Sequence, residues 1–376
     1  MRKFGWFLVF LLLQTCTDPV VPVFQPESGF YLVEGAIVNQ RGLSQVRVTR
    51  SEFRDGRFLL LTQEGLSVAS VNEEGQEVQW LRDSLDPQLY LPPLSFAAEE
   101  GKRYFLRITT ADGLMMESEP EEILTPVSID EVDMVFEQRS YFRSALSRWV
   151  PAFQFSIDFT DPAGQENYYQ VKYRYWEETR VCASCERGLW RDGVCIPDDR
   201  NMATWDYECA ATCYGIRFGD ENAIISDQFG DGGTIANLPV ARLDHVRETG
   251  GLLFEAQLFN ISRSAHDFIR VLRELSEDGG GLNATIPTAL NGNLATVGEN
   301  SEVPTLVLGY VSAISVATKR LYFDRRDIEG SPLPNQATPV EEPPLVDCPP
   351  PIGCPPRAPC TESRDRTPNP PAGWGG

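Results

Sequence analysis

The sequence predicts a mainly β protein: two immunoglobulin-like β-sandwich domains in tandem, with one short helix and a disulfide-rich loop insertion in the second. Three observations predict it. Short β-branched and aromatic runs recur between residues 29 and 330, several with the period-two alternation of a half-buried strand. Turn signals such as Asn72-Glu73-Glu74-Gly75 and Asp112-Gly113 separate them at sandwich-like spacing. Five of the nine cysteines, Cys182, Cys185, Cys195, Cys209 and Cys213, fall in one stretch that loses strand periodicity.

Arg2 and Lys3, followed by the unbroken apolar run Phe4 to Leu13, have the form of a secretory signal and are too short to span a bilayer. Leu13-Gln14-Thr15-Cys16 then resembles the bacterial lipobox, with Thr15 standing where Gly, Ala or Ser is usual. Residues 1–16 are therefore expected to be a lipoprotein signal peptide with acylated Cys16. Residues 17–28, TDPVVPVFQPES, read as an extended tether.

The N-terminal sandwich is expected over 29–126. Phe30 to Val38 is its first strand, and Ser44 to Arg50 alternates with Val46 and Val48 on one face. Leu66 to Val71 and Glu77 to Leu81 form a hairpin, and Gly101 to Thr110 turns at Asp112-Gly113 into Leu114 to Glu119. The C-terminal sandwich is expected over 127–330. Val127 to Phe136 leads into a hairpin of Phe153 to Phe159 with Tyr168 to Trp176, turning at Asp161-Pro162-Ala163-Gly164. That return strand is aromatic on both faces, one for the core and one for a partner element or ligand. Tyr168 and Trp176, with Trp190 beyond them, are therefore candidate binding aromatics, and packing under the cysteine-rich segment is the plainer account of them.

Residues 180–240 read as the disulfide-pinned insertion. Gly251 to Asn260 is a strand, and Ser264 opens a helix with Ala265, Phe268, Ile269, Leu272 and Leu275 at helical spacing and a Ser264/Asp267 capping pair. Thr305 to Ala317 and Arg320 to Arg325 are two closing strands. The tail, 331–376, holds fourteen of the 28 prolines and cannot sustain a long ladder or helix.

A formal charge of -21 and a pI near 4.6 argue against nucleic acid or another polyanion as partner. No second apolar run approaches the roughly 20 residues that cross a membrane, so attachment is expected through lipid. Nine cysteines suit an oxidising compartment. Setting Cys16 aside, five lie in the middle and three, Cys348, Cys354 and Cys360, in the tail. Both counts are odd, so full oxidation within one chain requires at least one bridge between the two groups.

No constellation points to catalysis, a metal or a cofactor. Cys182 with Cys185 and Cys209 with Cys213 have zinc-site spacings, but an exported chain oxidises such thiols to disulfides. Asp227 to Gly233 is rich in oxygen ligands yet lacks the one-three-five pattern of an EF-hand, and reads as a Gly-rich turn. His245 and His266 are the only histidines, and carboxylate pairs such as Asp158 with Asp161 or Asp130 with Asp133 are expected by chance among 54 acids.

With these pieces in place the chain resembles a family of Bacteroidota lipoproteins known as domain of unknown function 4249. The resemblance rests on YLVEGAI (31–37), on GKRYFLRITTADGLMMESEPEEI (101–123) with Pro126 and Ile129-Asp130, and on the FSIDFTDP and NYYQVKY stretches. The capped helix, Pro287 with Asn291-Gly292-Asn293, LGYVSA (308–313) and a cysteine tail ending near Trp374 complete it. The resemblance implies an outer-membrane lipoprotein encoded beside a TonB-dependent receptor. It thus implies an accessory role in nutrient uptake; Asp18, acidic and just after Cys16 as in surface-export signals of this phylum, favours the cell surface over the periplasmic face. A surface adhesion or structural lipoprotein and an envelope hydrolase are the alternative functions.

Overall fold

Period-two alternation of apolar side chains builds two packed sandwiches in the computed structural model of the chain. The structure describes residues 29–55, 57–83, 86–183, 188–191, 194–197, 211–219, 223–228, 230–246, 250–277, 292–298, 305–330, 332–333, 340–342, 360 and 362–376. The signal, Cys16 and the tether lie outside the described residues. Among those described, no helix is long and apolar enough to cross a membrane.

The first sandwich contains β1 (Tyr31–Val38), β2 (Gln45–Arg54), β3 (Arg57–Thr62), β4 (Ser67–Asn72), β5 (Glu77–Arg82), β6 (Leu89–Leu91), β7 (Arg103–Thr109), β8 (Met115–Ser118) and β9 (Glu121–Glu122). β1 pairs with β2, and β2 with β3 and β6; opposite them, β4 pairs with β5 and β7, and β7 with β8 and β9. The expected hairpin is present, with Val68 opposite Trp80. Val33, Val46 and Val48 meet Val68, Leu106, Ile108 and Met116 across the core, each at most 1% exposed. Burial of each stabilises by roughly 1.5–3 kcal/mol.

The second sandwich contains β10 (Ile129–Arg143), β11 (Arg148–Thr160), β12 (Tyr168–Ala183), β13 (Gly188–Arg191), β14 (Val194–Pro197), β15 (Ala211–Phe218), β16 (Ala223–Ser226), β17 (Thr234–Asp244) and β18 (Gly251–Ile261). Helix α1 (Arg263–Glu277), β19 (Leu294–Val297), β20 (Val307–Asp324), β21 (Val340–Glu342) and β22 (Arg366–Thr367) follow.

The hairpin expected from Phe153 to Trp176 is not formed. β11 pairs with β10 and β17, whereas β12 lies in the facing sheet, paired with β15 and β16 along one edge and β18 along the other. The reason is aromatic burial. Phe153, Phe155, Ile157 and Phe159 face the opposite sheet across the core, Phe155 stacking on Phe254 at 3.9 Å and Phe159 meeting Tyr169 edge-on at 5.1 Å. Residues 180–240, expected as a loop insertion, also supply β15 and β17 to these two sheets.

The two closing strands expected near the end are one. β20 runs parallel to β1 from Val307 to Ile314 and then antiparallel to β18 from Ser315 to Asp324, so it belongs to both sandwiches. β19 pairs with β8, so residues 294–297 and 307–314 return to the first sandwich after the chain has built the second. Glu121 reinforces this junction. Its buried carboxylate accepts hydrogen bonds from Tyr310 Oη, the Ala313 amide and Ser262 Oγ, the last two at 3.0 and 2.8 Å.

Helix α1 starts one residue earlier than expected, and its cap is Ser262, whose Oγ accepts from the Ala265 amide at 3.1 Å. Its apolar stripe, Ala265 and Phe268 foremost, buries against Phe259, Ile261, Tyr310 and Ile314.

Cys213 and Cys360 form a disulfide, joining the middle of the chain to its tail as the odd cysteine counts require. Cys182 lies in β12 and Cys195 in β14; Cys185, Cys209, Cys348 and Cys354 fall outside the described residues. After the disulfide the chain docks along β15 through β22, with Tyr214 opposite Thr367.

Candidate functional site

The face of β12, β18 and β20 turned away from the core organises the site. Cross-strand partners share a face, so register alone sets its rows: Gln170, Phe259 and Val316; Lys172, Gln257 and Thr318; Arg174, Glu255 and Arg320; Trp176, Leu253 and Tyr322. Each row does something different.

The third row is a closed ion cluster. Glu255 is fully buried and accepts from Arg174 Nε at 2.6 Å, Arg320 Nε at 2.7 Å and Gln257 Nε2 at 2.9 Å. Burial alone would raise this carboxyl, but Arg174, Gln257 and Arg320 outweigh it and hold it below its ordinary value.

The fourth row is covered by the chain's own C-terminal segment. The Arg174 and Arg320 guanidinium carbons lie 4.8 and 5.0 Å from the Trp176 ring centre, and Arg320 Nη1 donates to the Ala372 carbonyl at 2.6 Å. Trp374 completes the cover, packing edge-on against Tyr214 and Tyr322. Trp176 is thus 4% exposed, and the partner element its outward aromatic face implied is the tail.

The second row opens into a cleft of about 530 Å³ at the meeting point of both sandwiches. Lys172 and Gln257 lie on its floor with Phe259, helix α1 contributes Phe268 and Leu272, and the turn between β1 and β2 contributes Leu43. Lys172 sits where the neighbour of β12 changes from β16, opposite 168–171, to β15, opposite 174–181. Its ammonium lies 5.4 Å from the Phe259 ring centre, and burial pushes its pKa down. Arg364, stacked over Phe218, stands at the rim with Glu34.

A second cleft, about 710 Å³, lies at the end of the same sheet and takes in Tyr168, Asp227, Asp231, Arg263, His266 and Asp267. The Tyr168 ring lies 5.0 Å from His266, and its hydroxyl donates to Glu166 at 3.0 Å. His266 Nδ1 stands 3.7 Å from Asp267; burial lowers its pKa and Asp267 partly opposes that. Asp161, Asp227 and Asp231 converge here, each taking a backbone amide: Gly232 to Asp161, Asn167 to Asp227 and Gly164 to Asp231. These bonds tie the turn after β11 to the turn before β17, which gives the Gly-rich Asp227 to Gly233 stretch its structural role. Asp158 belongs to a separate group with Glu131 and Asp133, so it is not paired with Asp161.

His245 is 4% exposed and packed by the rings of Phe153 and Phe136 at 5.2 and 5.5 Å; burial, then Arg325, lowers its pKa. Trp190 lies in β13, which among the described residues pairs with β14 alone. Sequence reasoning assigned no part in a site to Lys172, Glu255 or Trp374. The signal for the first two was available in the even-numbered polar residues of β12 and the odd-numbered ones of β18.

Fold and register together define a mainly β protein of two sandwiches joined by one shared strand. The chain belongs to the family described as domain of unknown function, DUF4249, whose family model matches residues 17–320. None of the curated proteins matches it. The family match ends inside β20, before the segment that covers Trp176.

Proposed function

We propose that this protein is a lipid-anchored binding or accessory subunit of the outer membrane, serving a TonB-dependent receptor in nutrient uptake. The observation that supports binding is the cleft at the junction of the sandwiches. It combines apolar side chains, Phe259, Phe268 and Leu272 among them, with polar groups and a cation on its floor, the composition expected of a small-molecule site. An acyl group on Cys16 and the Pro-rich tether over 17–28 would hold that cleft beside the membrane and raise its local concentration there. Asp18, an acidic residue just after Cys16 as in the surface-export signals of Bacteroidota lipoproteins, supports the cell surface.

The histidines favour this reading over a hydrolase. His245 is enclosed by phenylalanines, and His266 Nδ1 stands beyond hydrogen-bond reach of its nearest carboxylate, at 3.7 Å. The anchor has a direct test. Cys16→Ala should move the protein from the membrane fraction to the supernatant on cell fractionation, and unchanged membrane retention would refute the lipid anchor.

A further inference from the structure

The geometry points to the first cleft as a binding site for a small organic carboxylate that carries an apolar chain or ring. Its carboxylate would pair with the Lys172 ammonium, and its apolar part would lie against Phe259 and the helix wall. This inference rests on the binding reading above and adds the class of ligand.

A mismatch of charge marks the cleft. The chain has 54 acidic residues, yet among the described residues none brings a carboxylate within 4 Å of the Lys172 ammonium. The other described lysines have oxygen partners: Lys102 lies between Glu74 and Glu99, and Lys319 donates to the Asp130 carbonyl. Lys172 has the face of the Phe259 ring. A desolvated ammonium is costly unless an anion compensates it. One row away, the same sheet face shows the compensation it favours: Glu255 is seated between Arg174 and Arg320, and those two guanidiniums are thereby used. Among the described residues, Lys172 is the cation of this face left to receive a carboxylate from outside.

The surroundings set the rest of the ligand. Phe259, Phe268 and Ile314 are buried side chains of the cleft wall, and Leu43, Ile269 and Leu272 extend it outward. A cleft of about 530 Å³ lies within the roughly 300–1,000 Å³ typical of small-molecule sites. Lys172 is the one cation on the floor, the wall beside it is apolar at Phe259, Phe268 and Leu272, and the net charge is -21, which suits a monoanion better than a phosphate dianion. The other charged groups of the lining, Glu34 on β1 and Arg364 of the C-terminal segment, are both exposed at the rim.

The test uses the full chain purified in a non-ionic detergent and three probes of one shape: 4-phenylbutyrate, 4-phenylbutanol and 4-phenylbutylamine, titrated calorimetrically. The acid should bind at least about tenfold more tightly than the alcohol, and the amine more weakly than both, because a hydrogen bond between two charged groups is roughly twice as strong as one between neutral groups. Lys172→Met should abolish the acid's advantage and leave the alcohol unchanged. Absence of acid binding, equal binding of acid and alcohol, or an advantage that survives Lys172→Met would overturn the proposal. If Lys172→Met does not fold, the unmodified chain decides. Acid affinity should fall as pH rises through the lowered range of Lys172 while alcohol affinity stays level, and a level acid profile would overturn it. Failure of these arms with receptor association intact removes only the ligand class; loss of receptor association removes the accessory reading.

Discussion

Gly309→Ala should lower the free energy of unfolding by roughly 3 kcal/mol or more, because strain and steric conflict add at this position. Gly309 has φ +105, and a Cβ placed on it would lie 1.9 Å from the Val33 carbonyl oxygen of the paired strand β1. The Gly292 backbone is equally close on the other side, since its own Cβ would lie 1.9 Å from the Gly309 carbonyl oxygen. Next to it, Asn293 bonds both the amide and the carbonyl of Val311, at 3.0 and 2.9 Å. LGYVSA and Gly292-Asn293 are therefore two sides of one contact that seats β20 against the first sandwich. Gly42→Ala is the matched control. It too has positive φ, at +76, but nothing lies within 4 Å of the added methyl, so only the backbone strain of about 1 kcal/mol applies. Denaturant midpoints of the two variants should separate clearly; equal midpoints would mean that the close approach does not hold β20 in place.

Glu255→Gln should cost about 3 kcal/mol, the scale set by removing one partner from a buried ion cluster. The variant keeps the shape of the side chain but leaves Arg174 and Arg320 facing a neutral amide. The sign of the pH dependence follows from the lowered carboxyl. Its folded pKa lies below the unfolded value of about 4.3, so its stabilisation is complete above that value and is lost as pH falls through the folded pKa. The difference in stability between the unmodified chain and Glu255→Gln should therefore be constant near neutrality and shrink in acid. A constant difference down to strongly acidic pH would show that the charge is not what matters. Arg320 also holds the Ala372 carbonyl, so loosening of the segment around Trp374 should accompany the loss.

Much of the fold was legible because strands declare themselves locally. Val46 and Val48 alternate as a half-buried strand must, and both are buried. The helix was legible from Phe268, Ile269 and Leu272, and its cap was displaced because Ser262 and Ser264 offer equivalent hydroxyls near the same end. Pairing was less legible. Phe153 to Phe159 and Tyr168 to Trp176 have the pattern of neighbours in a hairpin, and the same pattern serves strands that face each other across a core. β20 looked like two strands because the requirement for its continuity lies in β1 and β18, far away in sequence. The disulfide between middle and tail was legible from parity alone. The cleft was not, since β1, β12, β18, α1, β20 and the C-terminal segment each contribute only one to a few residues to it, and Lys172 looks locally like any outward polar residue of an aromatic strand.

The most direct measurement is purification of the full chain, in mild detergent, from the membranes of the cell that makes it. The proposed role predicts co-elution with a TonB-dependent β-barrel receptor, and association that is lost in Cys16→Ala. Elution of the lipidated chain alone, with the receptor intact in the same extract, would contradict it.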